Sequence, residues 1–319
     1  MLPTETLDIV VPVFNEESCL PLLIARLEKL KETLQPGVET NFIFINDGSS
    51  DGTLGILQEL ASQRPHLRVL NFSRNFGHQI ALTAGLDHST ADYAVAIDAD
   101  LQDPPELIKD MIEKARNGYD VVYGQRLIRK GESWFKLATA KLFYRLFNRV
   151  CGMDIPLDTG DFRLIRRNVV EELKRMREKH RFIRGMIPWL GFRSAPIFYQ
   201  RDMRAAGTTK YPFIKMARFA WWALLSFTSK PLHLATALGF VVTLFSFIAS
   251  IFLLYLKIFT IYHVPGITAT ILAVLFMGGV QMLIVGILSE YIAMLFDEMK
   301  GRPLYVLQTR MNFENDEKR

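Results

Sequence analysis

The stretch AIDADLQDPPE, residues 96–106, sets Asp98, Asp100 and Asp103 at the end of a short apolar run that begins at Tyr93. Carboxylates this close repel one another and lose hydration, so the arrangement calls for a cation. In extended chain alternate side chains share a direction, so Asp98 and Asp100, with Ala99 between them, can grip one ion. Hard divalent cations favour such oxygen donors. Mg2+ or Mn2+ commonly takes one or two carboxylates and completes its shell with substrate phosphates. Gln102 adds an oxygen or orients a ligand. An isolated Asp-x-Asp is often only a surface turn. Here it follows a buried strand, on the same rim as Glu16 and Asp47, and metal binding is the expectation. INDGSSDGT, residues 45–53, does not fit a calcium loop, because Gly48 and Ser50 fall where ligands should alternate. Asp47, at a strand end, is read instead as a hydrogen-bond acceptor for a nucleobase. No GxGxxG or Walker sequence appears, which argues against a dinucleotide dehydrogenase or a P-loop enzyme.

These residues need a scaffold that gathers strand ends. LDIVVPVF, NFIFIND, LRVLNFS, DYAVAIDAD and YDVVYGQR read as five strands, separated by helical segments at 17–34, after Gly77 and after Pro104-Pro105. Short apolar strands alternating with helices predict an α/β fold with a mostly parallel sheet covered on both faces. Ligands of such sheets bind at the carboxyl ends of the strands. Those ends carry Asn15, Glu16, Asn46, Asp47, Ser73, Arg74, Asp98 and Asp100.

Half of the residues are hydrophobic, and the excess lies late in the chain. Between 231 and 289 the only Lys, Arg, Asp or Glu is Lys257. Two stretches, 231–256 and 266–289, are each long enough to cross a hydrocarbon core of about 30 Å. They read as a transmembrane hairpin rather than as buried helices, since soluble helices seldom stay apolar on every face. Lys215, Arg218, Lys230, Lys300, Arg302 and Arg310 flank the pair, and the positive-inside rule puts both termini in the cytoplasm. Residues 133–150 read as a basic amphipathic interface helix, with Lys141, Arg145 and Arg149 opposite Leu142, Phe143, Leu146 and Phe147. Residues 211–230, with Trp221 and Trp222, read as a second such segment. Domain expectations are a cytoplasmic catalytic domain at 1–210, the juxtamembrane segment, the two spans, and a cytoplasmic tail at 290–319 whose NFENDEKR end is disordered. Gly278, Gly279 and Gly286 permit close helix packing, and self-association through them is a hypothesis. The net charge of +5 suits an anionic membrane or a phosphate ligand, not a nucleic acid. Cys19 and Cys151 make no metal or disulfide framework, so a reducing compartment is expected. The N-terminus shows no secretory signal.

VVPVFNEE, INDGSSDGT, SRNFGHQIALTAGL, IDADLQDPPE and TGDFRLIRR, with GTTKY before an apolar hairpin, resemble the family 2 glycosyltransferases. The resemblance is closest to those acting on polyisoprenyl phosphates: the GtrB-type bactoprenol glucosyltransferases, with the ArnC-type transferases and dolichyl-phosphate mannose synthases as relations. It covers nearly the whole chain. It implies a GT-A fold and transfer of a sugar from a nucleotide sugar, with UDP-glucose favoured, to a polyprenyl phosphate such as undecaprenyl phosphate. GDP-mannose and a UDP-amino-arabinose derivative are the alternative donors. The reaction is placed at the cytoplasmic face of the inner (plasma) membrane. By the same resemblance Pro12, Asn15 and Glu16 line the nucleotide site and Asp47 meets the base. Asp98 and Ala99 meet the ribose or diphosphate, and Asp100 holds the metal. Arg74, Gln79 and the residues between them shape the donor pocket. Arg126, Arg129, Asp161, Arg163, Arg204 and Lys210 stand near the sugar and the acceptor phosphate. Asp158 and Asp161 are left open between binding a sugar hydroxyl and acting as a base. Thr208-Thr209 and Asn46 depart from the commoner family residues without removing a metal ligand.

Elementary chemistry points the same way. A phosphate monoester has a second pKa of about 6 and is already ionised at neutral pH, so a strong base is dispensable. The difficulty is bringing a dianion to an anionic diphosphate, which asks for a metal on one and Arg or Lys on the other. A processive synthase is disfavoured, because no Gln-x-x-Arg-Trp segment occurs and two helices do not enclose a channel. A catalytically silent scaffold or nucleotide-binding partner is disfavoured by the intact Asp98/Asp100 pair.

Overall fold

The computed structural model describes residues 5–127, 159–200, 228–259 and 266–313. Its chain divides into two compact units, 1–216 with 303–319, and 217–302.

The first unit is built on runs of β-branched and aromatic residues. In β1 (Glu5–Val13) and β2 (Val38–Asn46), Ile9, Val10, Val11, Phe42, Ile43, Phe44 and Ile45 are all fully buried. Strands apolar on both sides are what a sheet covered on both faces requires. With β3 (Leu67–Phe72), β4 (Tyr93–Ala96), β5 (Val121–Arg126), β6 (Thr159–Arg166), β7 (Ser194–Tyr199) and β8 (Leu307–Met311), they form one sheet of order β7-β5-β6-β4-β1-β2-β3-β8. The β1/β2, β1/β4, β2/β3 and β5/β7 pairs are parallel. β6 and β8 run antiparallel to their neighbours.

Helices α1 (Leu20–Leu34), α2 (Thr53–Gln63), α3 (His78–His88) and α4 (Ile108–Arg116) connect the strands. α5 (Arg167–Arg175) and α6 (Ile183–Trp189) follow β6. α3 lies so close to the sheet that only glycine fits at residue 85. A Cβ there would come within 2.2 Å of Val10 Cγ1 and 2.8 Å of Ile45 Cδ1.

The elements depart from the sequence expectations in places. α1 begins at Leu20 instead of 17, because residues 15–17 are spent on a loop. Asn15 takes φ 55°, and the Glu16 N–H donates to Thr53 Oγ1 at 3.0 Å. β4 stops at Ala96. The Ile97 N–H still donates to Val10 O at 3.1 Å, and then Leu101, at φ 59°, turns the chain. A short 3-10 turn, Pro105–Leu107, precedes α4. TGDFRLIR, not read as a strand above, is β6, wedged between β4 and β5.

The expected disorder after residue 311 is corrected at its start. Asn312 Nδ2 donates to the carbonyls of Ala61 (2.7 Å), Arg64 (3.2 Å) and Leu67 (2.7 Å). The Phe313 ring meets His88 edge-on, and Arg68 lies over it. Just before β8, the Tyr305 ring stacks on Phe72 and its hydroxyl donates to Asp87 Oδ2 at 3.1 Å. A polar, one-sided strand such as β8 gains its structure from its partner β3, which a local pattern does not reveal.

In the second unit, α7 (Lys230–Phe259) and α8 (Ile267–Met299) each contain a stretch long and apolar enough to cross a membrane, Lys230–Phe252 and Ala273–Met299. α8 thus continues past residue 289, the end expected for the second span. Phe240, Phe245, Phe276 and Met282 are largely exposed, an outer surface suited to lipid. The Tyr291 hydroxyl donates to Thr228 O at 2.7 Å. The interface helix expected at 133–150 and most of the juxtamembrane segment lie outside the described residues.

Candidate active site

The carboxyl ends of β1–β5 and the start of antiparallel β6 make one polar rim. The β1 and β2 loops interlock there. Asn15 Oδ1 accepts from the Ser50 N–H (2.8 Å), and Asn15 N–H donates to Ser49 Oγ (3.0 Å). Asp47 is buried and turned toward the β3–α3 loop, where its carboxylate accepts from the N–H groups of Phe76 (2.6 Å) and Gly77 (3.0 Å). Burial raises its pKa, against the pull of those N–H groups and of nearby His78 and Arg74. The same loop presses on Gly48, which at φ 66° has no room for a Cβ, since one would lie 2.5 Å from Arg74 C and Asn75 N. Arg74 stacks on Phe76, 4.0 Å from the ring centroid. Pro12 lies within β1, buried and paired with Ile45.

The centre of the rim is a charged cluster. Asp161, side chain 3% exposed, receives Arg184 in a fork, Nε to Oδ1 and Nη2 to Oδ2, both at 2.8 Å. Gln79 Nε2 donates to Asp161 Oδ2 at 3.2 Å, while Gln79 Oε1 accepts from the Ile183 N–H at 3.1 Å, joining α3 to α6. His78 Nε2 lies 3.2 Å from Asp161 Oδ2 and 3.4 Å from Asp98 Oδ1. Burial opposes the His78 cation, but the hydrogen bond to Asp161 and the charges of Asp98 and Asp161 outweigh it and carry its pKa up to about 9. Burial would also raise Asp161, yet Arg184 and His78 hold it well below the usual carboxylate range. So held, Asp161 is a poor proton acceptor.

Asp98 behaves oppositely. Burial raises it, and although His78 pulls it down, the charges of Asp161, Asp103 and Asp100 help to bring it to about 6. Asp100 Oδ1 accepts from the Gln102 N–H at 3.2 Å, Gln102 is 9% exposed, and Ala99 is buried. Asp103, fully buried, accepts from the Tyr199 hydroxyl. Arg126 Nη2 lies 3.9 Å from Asp103 and packs against Gly160, where a Cβ would be 2.6 Å away. Arg163 points from the same face of β6 as Asp161, is likewise buried, and donates to Gly160 O at 2.8 Å.

This donor set fits a hard divalent ion. Carboxylate oxygens predominate, and Asp98 is raised by burial and by neighbouring like charges, the second of which a cation would relieve. His78, Asp98 and Asp161 also offer one ligand atom each, all within 4.8 Å of one another. Asp158, Arg129, Arg204 and Lys210 lie outside the described residues. His78, Arg184 and Tyr199 were not singled out from the sequence, and Asp103 was named only as one of the crowded carboxylates, without a role of its own. His78 had a signal through its place in the Arg74-to-Gln79 stretch, whereas Arg184 and Tyr199 had none.

Residues 8–174 match the family model described as Glycosyl transferase family 2, and they contain every rim carboxylate described above. The chain belongs to glycosyl transferase family 2. It is therefore a glycosyltransferase on a GT-A fold. A family member named as the uncharacterized glycosyltransferase YkcC of Bacillus subtilis (strain 168) is 45% identical over 96% of this chain and 94% of the relative. The prophage bactoprenol glucosyl transferase homolog of Escherichia coli (strain K12) is 39% identical, over 95% of this chain and 98% of the relative. The bactoprenol glucosyl transferase of Shigella phage SfX is 38% identical, over 95% and 99%. These alignments over nearly whole chains take in the family 2 domain together with the two apolar helices.

Proposed function

We propose that this family 2 enzyme transfers glucose from UDP-glucose to undecaprenyl phosphate at the cytoplasmic face of the plasma membrane, releasing UDP. The supporting observation is the match to bactoprenol glucosyl transferases over 95% of the chain, apolar helices included. In this reading α7 and α8 anchor the enzyme beside its lipid substrate, and both termini are cytoplasmic. The interlocked loops carrying Asn15, Glu16 and Asp47 bind the nucleotide. Asp98, Asp100 and Gln102 hold Mg2+ or Mn2+. When bound, the ion supplies positive charge to the diphosphate leaving group.

The acceptor phosphate needs no strong base, in keeping with an Asp161 that is saturated with N–H donors. Arg126 at the rim, with Arg129, Arg204 and Lys210, draws the acceptor phosphate toward the donor. A phosphate oxygen forms a bond to the anomeric carbon as the bond from that carbon to the diphosphate breaks. An α-linked donor then gives a β-linked product. Self-association through Gly278, Gly279 and Gly286 belongs to this proposal, and crosslinking in membranes tests it.

The deciding experiment offers purified full-length protein, in detergent with Mn2+ or Mg2+, a panel of labelled UDP- and GDP-sugars and undecaprenyl phosphate. Label from UDP-glucose should enter the lipid phase, and EDTA or Asp100→Ala should abolish it. Transfer from another donor would overturn the choice of sugar. No transfer from any donor would overturn the reaction.

A further inference from the structure

A second buried carboxylate stands beside an arginine, and here the two charges stay apart. Asp103, fully buried, ends the acidic stretch that begins at Asp98. Arg126, side chain 14% exposed, approaches it only to 3.9 Å, Nη2 to Oδ1. The Arg184–Asp161 fork, by comparison, closes to 2.8 Å. Between the members of the looser pair stands the Tyr199 hydroxyl. It donates to Asp103 Oδ1 and accepts from Arg126 Nε at 3.4 Å.

The sheet is built to put that hydroxyl there. Arg126 and Tyr199 are cross-strand partners at the ends of parallel β5 and β7. The Tyr199 ring lies across β5 at Gly124, where a Cβ would come within 2.8 Å of Tyr199 Cε1 and 2.9 Å of Phe162 Cδ1. Phe162 meets the ring edge-on from β6, with centroids 6.0 Å apart. Gly160 leaves the matching space for the Arg126 guanidinium. Burial and the charge of Asp103 raise the Tyr199 pKa, so the hydroxyl keeps the proton it donates.

A buried carboxylate draws any cation within reach, because pairing in a low dielectric offsets its lost hydration. Without the hydroxyl, Arg126 would close on Asp103 in a two-point fork and spend its donors there. We infer that Tyr199 is a positioning residue: its hydroxyl satisfies Asp103 and keeps Arg126 from collapsing onto it, so that the guanidinium stays available to an anion at the rim. That this anion is the acceptor phosphate rests on the function proposed above. The spacing itself does not.

Two measurements on the full-length protein in detergent test this. The first needs no substrate and compares the unfolding temperatures of wild type, Tyr199→Phe, Arg126→Met and the double variant. Either single variant leaves Asp103 one of these two partners, and the double variant removes both. Any further partner of Asp103 is common to all four chains and cancels. The double variant should therefore lose about 2–6 °C more than the two single losses together. Residues that merely brace each other would give additive losses or a double loss smaller than the sum, and either result would overturn the spacing role. The second measurement is steady-state kinetics with a short-chain prenyl phosphate. Tyr199→Phe should raise the acceptor KM about tenfold, the worth of one charge-assisted hydrogen bond, with kcat and the donor KM near wild type. Asp103→Asn in that background should bring the acceptor KM back down, since a neutral amide no longer draws the guanidinium. An unchanged acceptor KM, or a rise that Asp103→Asn worsens, would overturn the link to Arg126. If Arg126→Met does not fold, the kinetic pair, which keeps Arg126, decides instead. If the wild type glycosylates no prenyl phosphate, the acceptor reading falls and the thermal cycle decides the spacing on its own.

Discussion

Removing Arg184 tests the cluster most directly. Its fork holds a carboxylate that is 3% exposed, while the arginine side chain is itself 30% exposed. Breaking a buried pair from one side costs about 3–5 kcal/mol. Solvent near the guanidinium screens part of this, and His78 and Gln79 stay on Asp161, so about 2–3 kcal/mol is expected for Arg184→Met. At about 2–4 °C per kcal/mol for a unit of this size, the unfolding temperature should drop by about 4–12 °C. The informative assay is a double-mutant cycle by scanning fluorimetry of the full chain in detergent, with Asp161→Asn as the second substitution. Once Asp161 carries no charge, removing Arg184 should cost about 1 kcal/mol or less, because no buried anion is stranded. Additivity within about 0.5 kcal/mol would refute the reasoning, since it would mean that the two residues do not stabilise each other.

Three further outcomes follow from the same geometry. Asp47→Asn should weaken the hold on the Phe76 and Gly77 N–H groups by about 1–3 kcal/mol. It should raise the donor KM more than it lowers kcat, and steady-state kinetics would show this. Gly85→Val should overpack α3 against Val10 and Ile45, costing at least about 1–3 kcal/mol, and an unchanged unfolding temperature would contradict the packing described. Asn312→Ala removes the donors to three carbonyls and should speed hydrogen exchange in β8 and at the end of α2, read by mass spectrometry.

Strands β1–β5 were legible because each carries its own signal. Phe42 to Ile45 is an unbroken apolar run that ends in Asn46 and Asp47, and the other four end in similar polar residues. β6 carries no such signal. Asp161 and Arg163 alternate with Phe162 and Leu164, which reads as a half-exposed segment until α6 covers the charged side. The cluster was legible only in halves. Asp98 and Asp161 were visible as carboxylates in motifs, but Arg184 reaches Asp161 across 23 positions and His78 reaches it across 83, and neither separation follows a helical or strand period. The bonds that Asp47 makes within the protein were hidden for a related reason. Its partners are backbone N–H groups, and these are chemically alike at every position but proline.

The pairing of β8 with β3 imposes a parity. Both strands belong to one sheet, so the chain before α7 and the chain after α8 must lie on one side of any bilayer that the helices cross. The number of crossings is therefore even, whatever the flanking charges prefer, and two helices meet that requirement. The order of synthesis adds a second consequence. The ribosome makes both helices before it makes β8, so the β3 edge stays open until both have emerged. Closing the sheet is then a late event, and wherever the helices cross a bilayer, a chain with one crossing too few would keep an unpaired strand edge, the kind of surface on which aggregation starts.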